Sequence, residues 1–564
     1  MKPLLLGGGL LLIACVALLP LFSHATLPRG DDVGEHVQFA QDFSAGLAEG
    51  HLYPRWLPHA NLGYGAPVFI FYPPLATALV SSLHVAGFSL FTSFRAGLLL
   101  LTLGAALAAA LLGQRLGGRS SLRAALLAGA FWVLLPYHAL DVFGRFALAE
   151  TATFVFLPLL FLALDRPRGV HLGAAAAAYA GLCFAHLPTA FLAAWFVTGW
   201  CLFRGVRQLG RAVAALALGA GCAAVYLVPA LVERSQVHAD WLEGNPLYRF
   251  DVHYLFFPSH TMVQNDPVHG AYQGWLATAT LSQIRLIVPV TLGLALAAWL
   301  TRLILNRHRT DWDPLHRYLV LALVAGAGMT RLADPIWRWI PGFASVVFPW
   351  RLTLFLTLAA SLLLAAALSD LARRSTALFT LATALALALA VVLSLRIAGT
   401  ADWETFSEAH AATPVVRLRV TGAMMPRSNP VMRGFRRQPA AGAARLLGAS
   451  GQPAGTVVVL SEATQARSYQ VKVPAGPGAV LLVPQFDYPG WSARVDGLIT
   501  PARQHPPFGT LAIPVPAGEH RVDLRFGATP GRRAAVAISA LSVLILAALT
   551  VYRDGRTMGV RRPV

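Results

Sequence analysis

Charge is scarce in this chain. Of its 564 residues only 13% are Asp, Glu, Lys or Arg, while 56% are hydrophobic; soluble domains carry about 25% charged residues, so this balance points to a polytopic membrane protein. Cysteine is scarcer still. Cys15, Cys183, Cys201 and Cys222 all lie in apolar segments without metal-ligand spacing, which argues against a disulfide framework or a cysteine zinc site. The chain shows no convincing phosphate-binding loop or dinucleotide fingerprint, and no internal repeat of the kind on which many transporters are built. Acidic residues are outnumbered by basic ones, 26 against 45, for a formal charge of +19. Nucleic acid does not follow from that excess, because the arginines cluster in short loops between apolar runs, the positive-inside pattern.

What is present is a succession of apolar runs. Leu4 to Phe22 is long enough to span a bilayer. Ser23-His24-Ala25 offers a signal-peptidase site, but the run exceeds a usual signal core and reads as an uncleaved anchor with Lys2 in the cytoplasm. If Leu75 to Phe88 crossed, Arg115, Arg119 and Arg123 would fall outside, so this segment is expected to lie along the external surface. Arg95 to Gly113 then crosses inward and Ala124 to Leu135 returns outward. Basic loops at 165–171, 204–211, 302–317 and Arg373-Arg374 continue the alternation. About twelve transmembrane helices result, with both termini cytoplasmic.

The boundaries expected are a transmembrane domain over 1–397, with its external loop at 23–94, and a soluble domain over 398–533. A final helix and basic tail occupy 534–564. Within 398–533, alternating runs such as TVVVL, SYQVKV and HRVDLRF are separated by Gly and Pro turns, the pattern of a small β-sandwich. Tyr488-Pro-Gly-Trp491 and Val495-Asp-Gly497 suit a carbohydrate or plain turns equally.

Chemistry concentrates in Gly30 to Pro74. Asp31 and Asp32 open a helical pattern that Gly50 stops. His36 falls four residues after Asp32, on the same face of the first turn, a spacing that suits a shared divalent metal, Mg or Mn, or a shared proton. Asp32 with Glu35 also fits a capping box. Arg55 and Asn61 follow among Tyr53, Trp56, Tyr64, Phe71 and Tyr72, whose faces suit sugars or an interfacial belt.

Three further loops face the same side. Pro136 to Glu150 carries Asp141 and Arg145 at i,i+4 and then Glu150, either an ion pair or a second carboxylate with a phosphate-binding arginine. His186-Leu-Pro-Thr marks a hairpin, and Phe348-Pro-Trp-Arg351 opens a helix where Arg351 suits a phosphate or interfacial snorkelling. The third large loop, 233–283, holds His238, Asp240, His253, His260 and Asp266 without ligand spacing, and no chemistry is assigned to it.

The run of D-D-x-x-x-H, YPRW, NxGYGxP and FYPPL, with HLPT and FPWR beyond, resembles a bacterial membrane family labelled 6-pyruvoyl-tetrahydropterin synthase-related. An acidic pair opening the first external loop is similar, more distantly, to the GT-C superfamily of lipid-linked-sugar glycosyltransferases. That resemblance implies residence in a bacterial inner membrane and an inverting hexosyl or pentosyl transfer. The donor would be a polyprenyl-phosphate sugar and the acceptor a saccharide, lipid or protein on the external face. On it, Asp31 or Asp32 is the base, Asp32 and His36 hold any metal, and Arg55, Arg145 and Arg351 meet phosphate. Asn61, Tyr64 and Tyr72 shape the sugar pocket, with Asp141, Glu150 and His186 beside it. A flippase or transporter of lipid-linked sugars, or a non-catalytic surface-polysaccharide assembly factor, stands as the alternative.

Overall fold

Small residues set the helix spacing. In the computed structural model a Cβ on Gly113 would lie 2.4 Å from that of Ala128, and one on Gly129 would lie 2.8 Å from the Ala106 carbonyl oxygen. The helices Leu90–Leu116 and Ser121–Leu134 therefore pack backbone to backbone, as small residues allow in apolar surroundings. The structure describes residues 2–117, 121–165, 169–239, 248–256, 270–306, 314–403, 424–427 and 441–558; Arg119, Asp240, His260 and Asp266 lie outside them.

The central element is Thr353–Leu371, whose residues from Thr353 to Asp370 are all buried. Its hydroxyls do not go unpaired there: Thr357 and Ser361 each donate to the carbonyl one turn back at 2.7 Å. At the periphery the arrangement is inverted. Leu381, Leu385 and Val392 of Thr376–Gly399, and Leu541 and Leu544 of Pro530–Met558, are exposed. Contiguous exposed apolar faces of this kind suit lipid rather than water.

Among the described residues five helices can cross a membrane by length and composition, and up to eight if each of three bent pairs is one span. Shorter apolar helices include Leu4–Ala17, Leu148–Leu164, Leu172–Ala185 and Leu187–Leu202; the expected twelve is reached only if these four cross as well. Leu75–Val85, at 11 residues, is too short to span. Pro136 to Gly144, expected as a loop, is instead a helical turn followed by a π-turn, and its residues up to Phe143 are buried.

The C-terminal region has nine antiparallel strands: β1 (Arg445–Leu447), β2 (Thr456–Glu462), β3 (Ala466–Val473), β4 (Ala479–Phe486), β5 (Trp491–Val495), β6 (Leu498–Thr500), β7 (Arg503–His505), β8 (Thr510–Val515) and β9 (Gly518–Phe526). They form two sheets, ordered β1-β4-β8-β7 and β2-β3-β9-β5-β6. Tyr469, Val471, Val522 and Leu524 of one sheet share a core with Leu481, Val483, Leu511 and Ile513 of the other. Asp496 and Gly497 both take positive φ between β5 and β6, which is the two-residue hairpin turn.

One buried ion pair joins these sheets to the helices. Arg532, near the start of the last helix, donates to both carboxylate oxygens of Glu233 at 2.8 and 2.7 Å, and Tyr488 donates to the same carboxylate at 2.9 Å. Tyr488-Pro-Gly-Trp491 is thus part of a seam: a Cβ on Gly490 would meet the Arg532 guanidinium at 2.7 Å. Arg532→Met should lower stability by about 3–5 kcal/mol because it strands a buried carboxylate, and adding Glu233→Leu should recover part of that. Thermal unfolding in detergent reads both, and a loss below about 1 kcal/mol in the single variant would mean that the pair is not structurally important.

Candidate active site

The acidic stretch meets the second polar stretch through backbone contact. A Cβ at Gly30 would lie 2.3 Å from the carbonyl carbon of Arg145 and 2.5 Å from the Phe146 nitrogen, so only glycine permits this approach. Two residues on, the Asp32 N–H donates to the Arg145 carbonyl at 3.1 Å. Arg145 itself closes the π-turn, its N–H reaching the Leu140 carbonyl at 2.8 Å, and Phe146 then takes φ 54°. Such one-turn π features recur at functional sites.

This docking assembles a group of charges. Arg145 Nη1 donates to Asp141 at 2.8 Å and to Glu150 at 3.0 Å, and its Nε lies 4.0 Å from Asp31. Glu150 also accepts from the Tyr137 hydroxyl at 2.6 Å and lies 3.6 Å from Arg351 Nε. Arg351 is braced by the Val346 carbonyl at 2.5 Å and sits 4.9 Å from the centre of the Phe348 ring. His186, at the break between Leu172–Ala185 and Leu187–Leu202, shares a 2.9 Å hydrogen bond with Thr189 and lies within range of the charges of Glu150, Arg145 and Arg351. Asp31, Asp32, Asp141, Arg145, Glu150, His186 and Arg351, spread over more than 300 residues of sequence, thus meet in one place.

The capping reading of Asp32 does not hold: Asp32 is the N-cap residue of Val33–Ala48, yet its side chain makes no cap hydrogen bond. Burial pushes the Asp31 carboxyl up to about 7, with Asp32 adding and Arg145 opposing. Asp32 is raised too, chiefly by burial, against Arg145 and Arg351. Glu35, which the sequence offered only as a capping partner, is pushed to about 7 by burial and then by Asp32. Tyr137 and Tyr248 were also missed. Tyr248, whose phenol is raised to about 12 by burial and then by Asp32, Glu35 and Asp31, borders the same carboxylates; no motif surrounds it.

His36 is buried among aromatic rings, 5.9 Å from Tyr72 and 6.2 Å from both Phe39 and Phe146, and burial lowers it to about 3, so it is neutral. Neither of its ring nitrogens has a hydrogen-bond partner among the described residues. Among those residues no three His, Cys, Asp or Glu side chains gather as a metal-holding group. Tyr72 stands against His36, its phenol raised by burial and then by Asp32 and Glu35.

Arg55, Asn61 and Tyr64 make their contacts elsewhere. Arg55 donates to the Val225 carbonyl at 3.1 Å, beside the 79° bend between Val206–Cys222 and Ala224–Val232. Asn61 is fully buried with φ 52°, and its amide donates to the Gly65 carbonyl at 3.1 Å, closing a turn. Tyr64 stacks on Phe486 of β4 at 5.3 Å. Gln485, next to Phe486, secures this turn from the sheet: it accepts from Trp56 Nε1 at 2.8 Å and donates to the Gly63 carbonyl at 2.7 Å. No protein-family model matches this chain, and no curated protein matches it significantly in sequence.

The raised carboxyls carry a signed pH dependence. Between 3.8 and about 7 the folded chain keeps a proton on Asp31 that the unfolded chain has released, and Glu35 behaves likewise between 4.5 and about 7. Stability should therefore fall as pH rises through that window. Asp31→Asn should flatten the slope in melting curves from about pH 5 to about pH 8, and a slope equal to that of the wild type would remove Asp31 as its source. A second check concerns the turn: Gln485→Leu leaves the buried Trp56 and Gly63 groups unpaired and should cost about 1–3 kcal/mol in the same assay.

Proposed function

We propose that this chain is a membrane glycosyltransferase that moves a sugar from a polyprenyl-phosphate donor to an acceptor on the external face of a bacterial inner membrane. One observation carries the reading: the acidic pair Asp31-Asp32 meets Arg145 and Arg351 at the ends of apolar helices. The reaction needs both kinds of group. A carboxylate of the pair takes the proton of the acceptor hydroxyl as its oxygen bonds to the anomeric carbon. The bond from that carbon to the phosphate oxygen breaks, and polyprenyl phosphate leaves with the electron pair and its negative charge. Attack opposite the leaving group inverts the anomeric centre.

The charge balance bears on how the phosphate is met. Arg145 already serves Asp141 and Glu150, and Arg351 faces Glu150. These carboxylates hold the guanidinium groups in place, so phosphate binding would be shared with Glu150 rather than made by two free cations. A divalent cation fits this site only with ligands from outside the chain. Asp32, with Asp31 or Glu35, would hold it, and water or phosphate oxygens would complete its shell, the mode Mg²⁺ favours. His36, wrapped in aromatic rings, suits the role of a packing residue behind Tyr72 better than that of a ligand to a hard cation. When bound, such a cation would neutralise the departing phosphate.

Release of free polyprenyl phosphate from labelled polyprenyl-phosphate sugars tests the reading directly. Wild-type protein should turn over at least one donor of a panel, and Asp31→Asn or Asp32→Asn should reduce kcat by about 100-fold or more with folding intact. Arg351→Lys should weaken turnover through the loss of fork geometry at the phosphate. Binding of the lipids without turnover, equal in all variants, would instead support transport or a non-catalytic role in polysaccharide assembly.

A further inference from the structure

Between the helix His316–Gly328 and the buried Thr353–Leu371, the chain turns by 88° into Arg331–Trp339. The turn is well constructed. Trp337 Nε1 donates to the Gly328 carbonyl at 2.9 Å, closing a group that the bend frees, and the Thr330 hydroxyl caps the Leu332 N–H at 3.3 Å. Pro335 sits in the first turn of Asp334–Trp339, where a missing N–H does no harm.

This short element is apolar on two faces. One face is buried: Ala333 and Trp337, with Trp337 stacked on Phe250 at 5.9 Å and edge-on to Phe343 at 5.4 Å. The other is not. Leu332 is 84% exposed, Ile336 44% and Trp339 82%, at spacings of four and three residues along one side. A helix facing water has a polar outer side. Of the polar residues here, Asp334 and Arg338 bond to each other, Arg338 also lies 3.5 Å from Asp251, and Arg331 is exposed at the start of the element. The preceding helix His316–Gly328, 13 residues of mostly apolar sequence, carries an exposed stripe of its own at Val320, Leu323 and Val324.

We propose that Arg331–Trp339 is an interfacial anchor. It lies along the membrane surface with Leu332, Ile336 and Trp339 in the boundary between headgroups and acyl chains. Its partner is lipid, for three reasons. The outer face directly follows, in sequence, a helix that also exposes an apolar stripe, Val320, Leu323 and Val324. The right-angle bend turns that face from the axis of a span into the plane of a bilayer. Tryptophan with flanking arginine, here Trp339 with Arg331 and Arg338, is the composition of such boundaries. Trp350, beside Arg351, is by contrast buried. Because the chain runs from this anchor through Val346 to Arg351, the anchor would hold the charged cluster near headgroup depth.

The test reads depth and not turnover, so its outcome is independent of the glycosyltransferase reading. The full chain carrying Leu332→Cys, Ile336→Cys or Trp339→Cys is labelled with a nitroxide in vesicles of phosphatidylcholine and phosphatidylglycerol. Leu498→Cys, in the exposed β5–β6 hairpin, serves as the aqueous control, and the unsubstituted chain corrects for native cysteines, three of which are buried. At 332, 336 and 339 collision with oxygen should exceed collision with a water-soluble nickel chelate several-fold, and position 498 should show the reverse. Nickel preference at all three positions would overturn the proposal in favour of a water-facing surface. Low collision with both reagents would overturn it in favour of a protein partner or a second copy of this chain.

Discussion

A guanidinium cannot be removed from water without anionic or carbonyl partners, and Arg145 is nearly fully buried. Asp141 and Glu150 supply those partners, and each in turn needs the arginine. Removing any one member would strand the others in a dry place, so the group specifies a single arrangement. The rest of the site is organised around it. The Arg145 carbonyl accepts from Asp32, Gly30 lies flush against the same peptide, and Arg351 reaches Glu150 from a distant helix.

The C-terminal sheets take part in the same construction. They hold the turn from Asn61 to Gly65 through Gln485 and Phe486, and Tyr53 bonds the Phe69 carbonyl at 2.6 Å. Phe69 packs on Phe39, which packs on Tyr72 beside His36. A packed route thus runs from β4 to the helix that begins at Asp32. Residues whose types suggested sugar binding lie on that route: the Asn61 amide closes a turn at positive φ, and the Tyr64 ring faces Phe486.

Much of the fold was legible because its signals are local. Apolar runs, basic loops and alternating strands each declare themselves within about 20 residues. Leu75 to Phe88, expected along the external surface, holds an 11-residue helix, Leu75–Val85, that is too short to span. Part of the site was legible for the same reason: an acidic pair, an Arg-Glu loop and an Arg at a helix start are all unusual beside apolar segments. Glu35 was hidden by its resemblance to a capping partner, and only the missing cap hydrogen bond separates the two readings. Tyr248 had no signal, since a tyrosine in a loop is ordinary until its neighbours are known.

By itself the sequence pointed to the class of molecule, because a bilayer demands apolar stretches of a given length, and helices of that length and composition recur along the described chain. It also determined which side chains have chemistry to offer. The tertiary structure decided which of them meet. Asp31, Arg145 and Arg351 come together, while Arg55, Asn61 and Tyr64 turn toward a bent helix and a sheet. The physical reason is that convergence depends on packing between elements hundreds of residues apart. At Gly30 the absence of one carbon lets two backbones touch, and that contact has no signature in the local pattern.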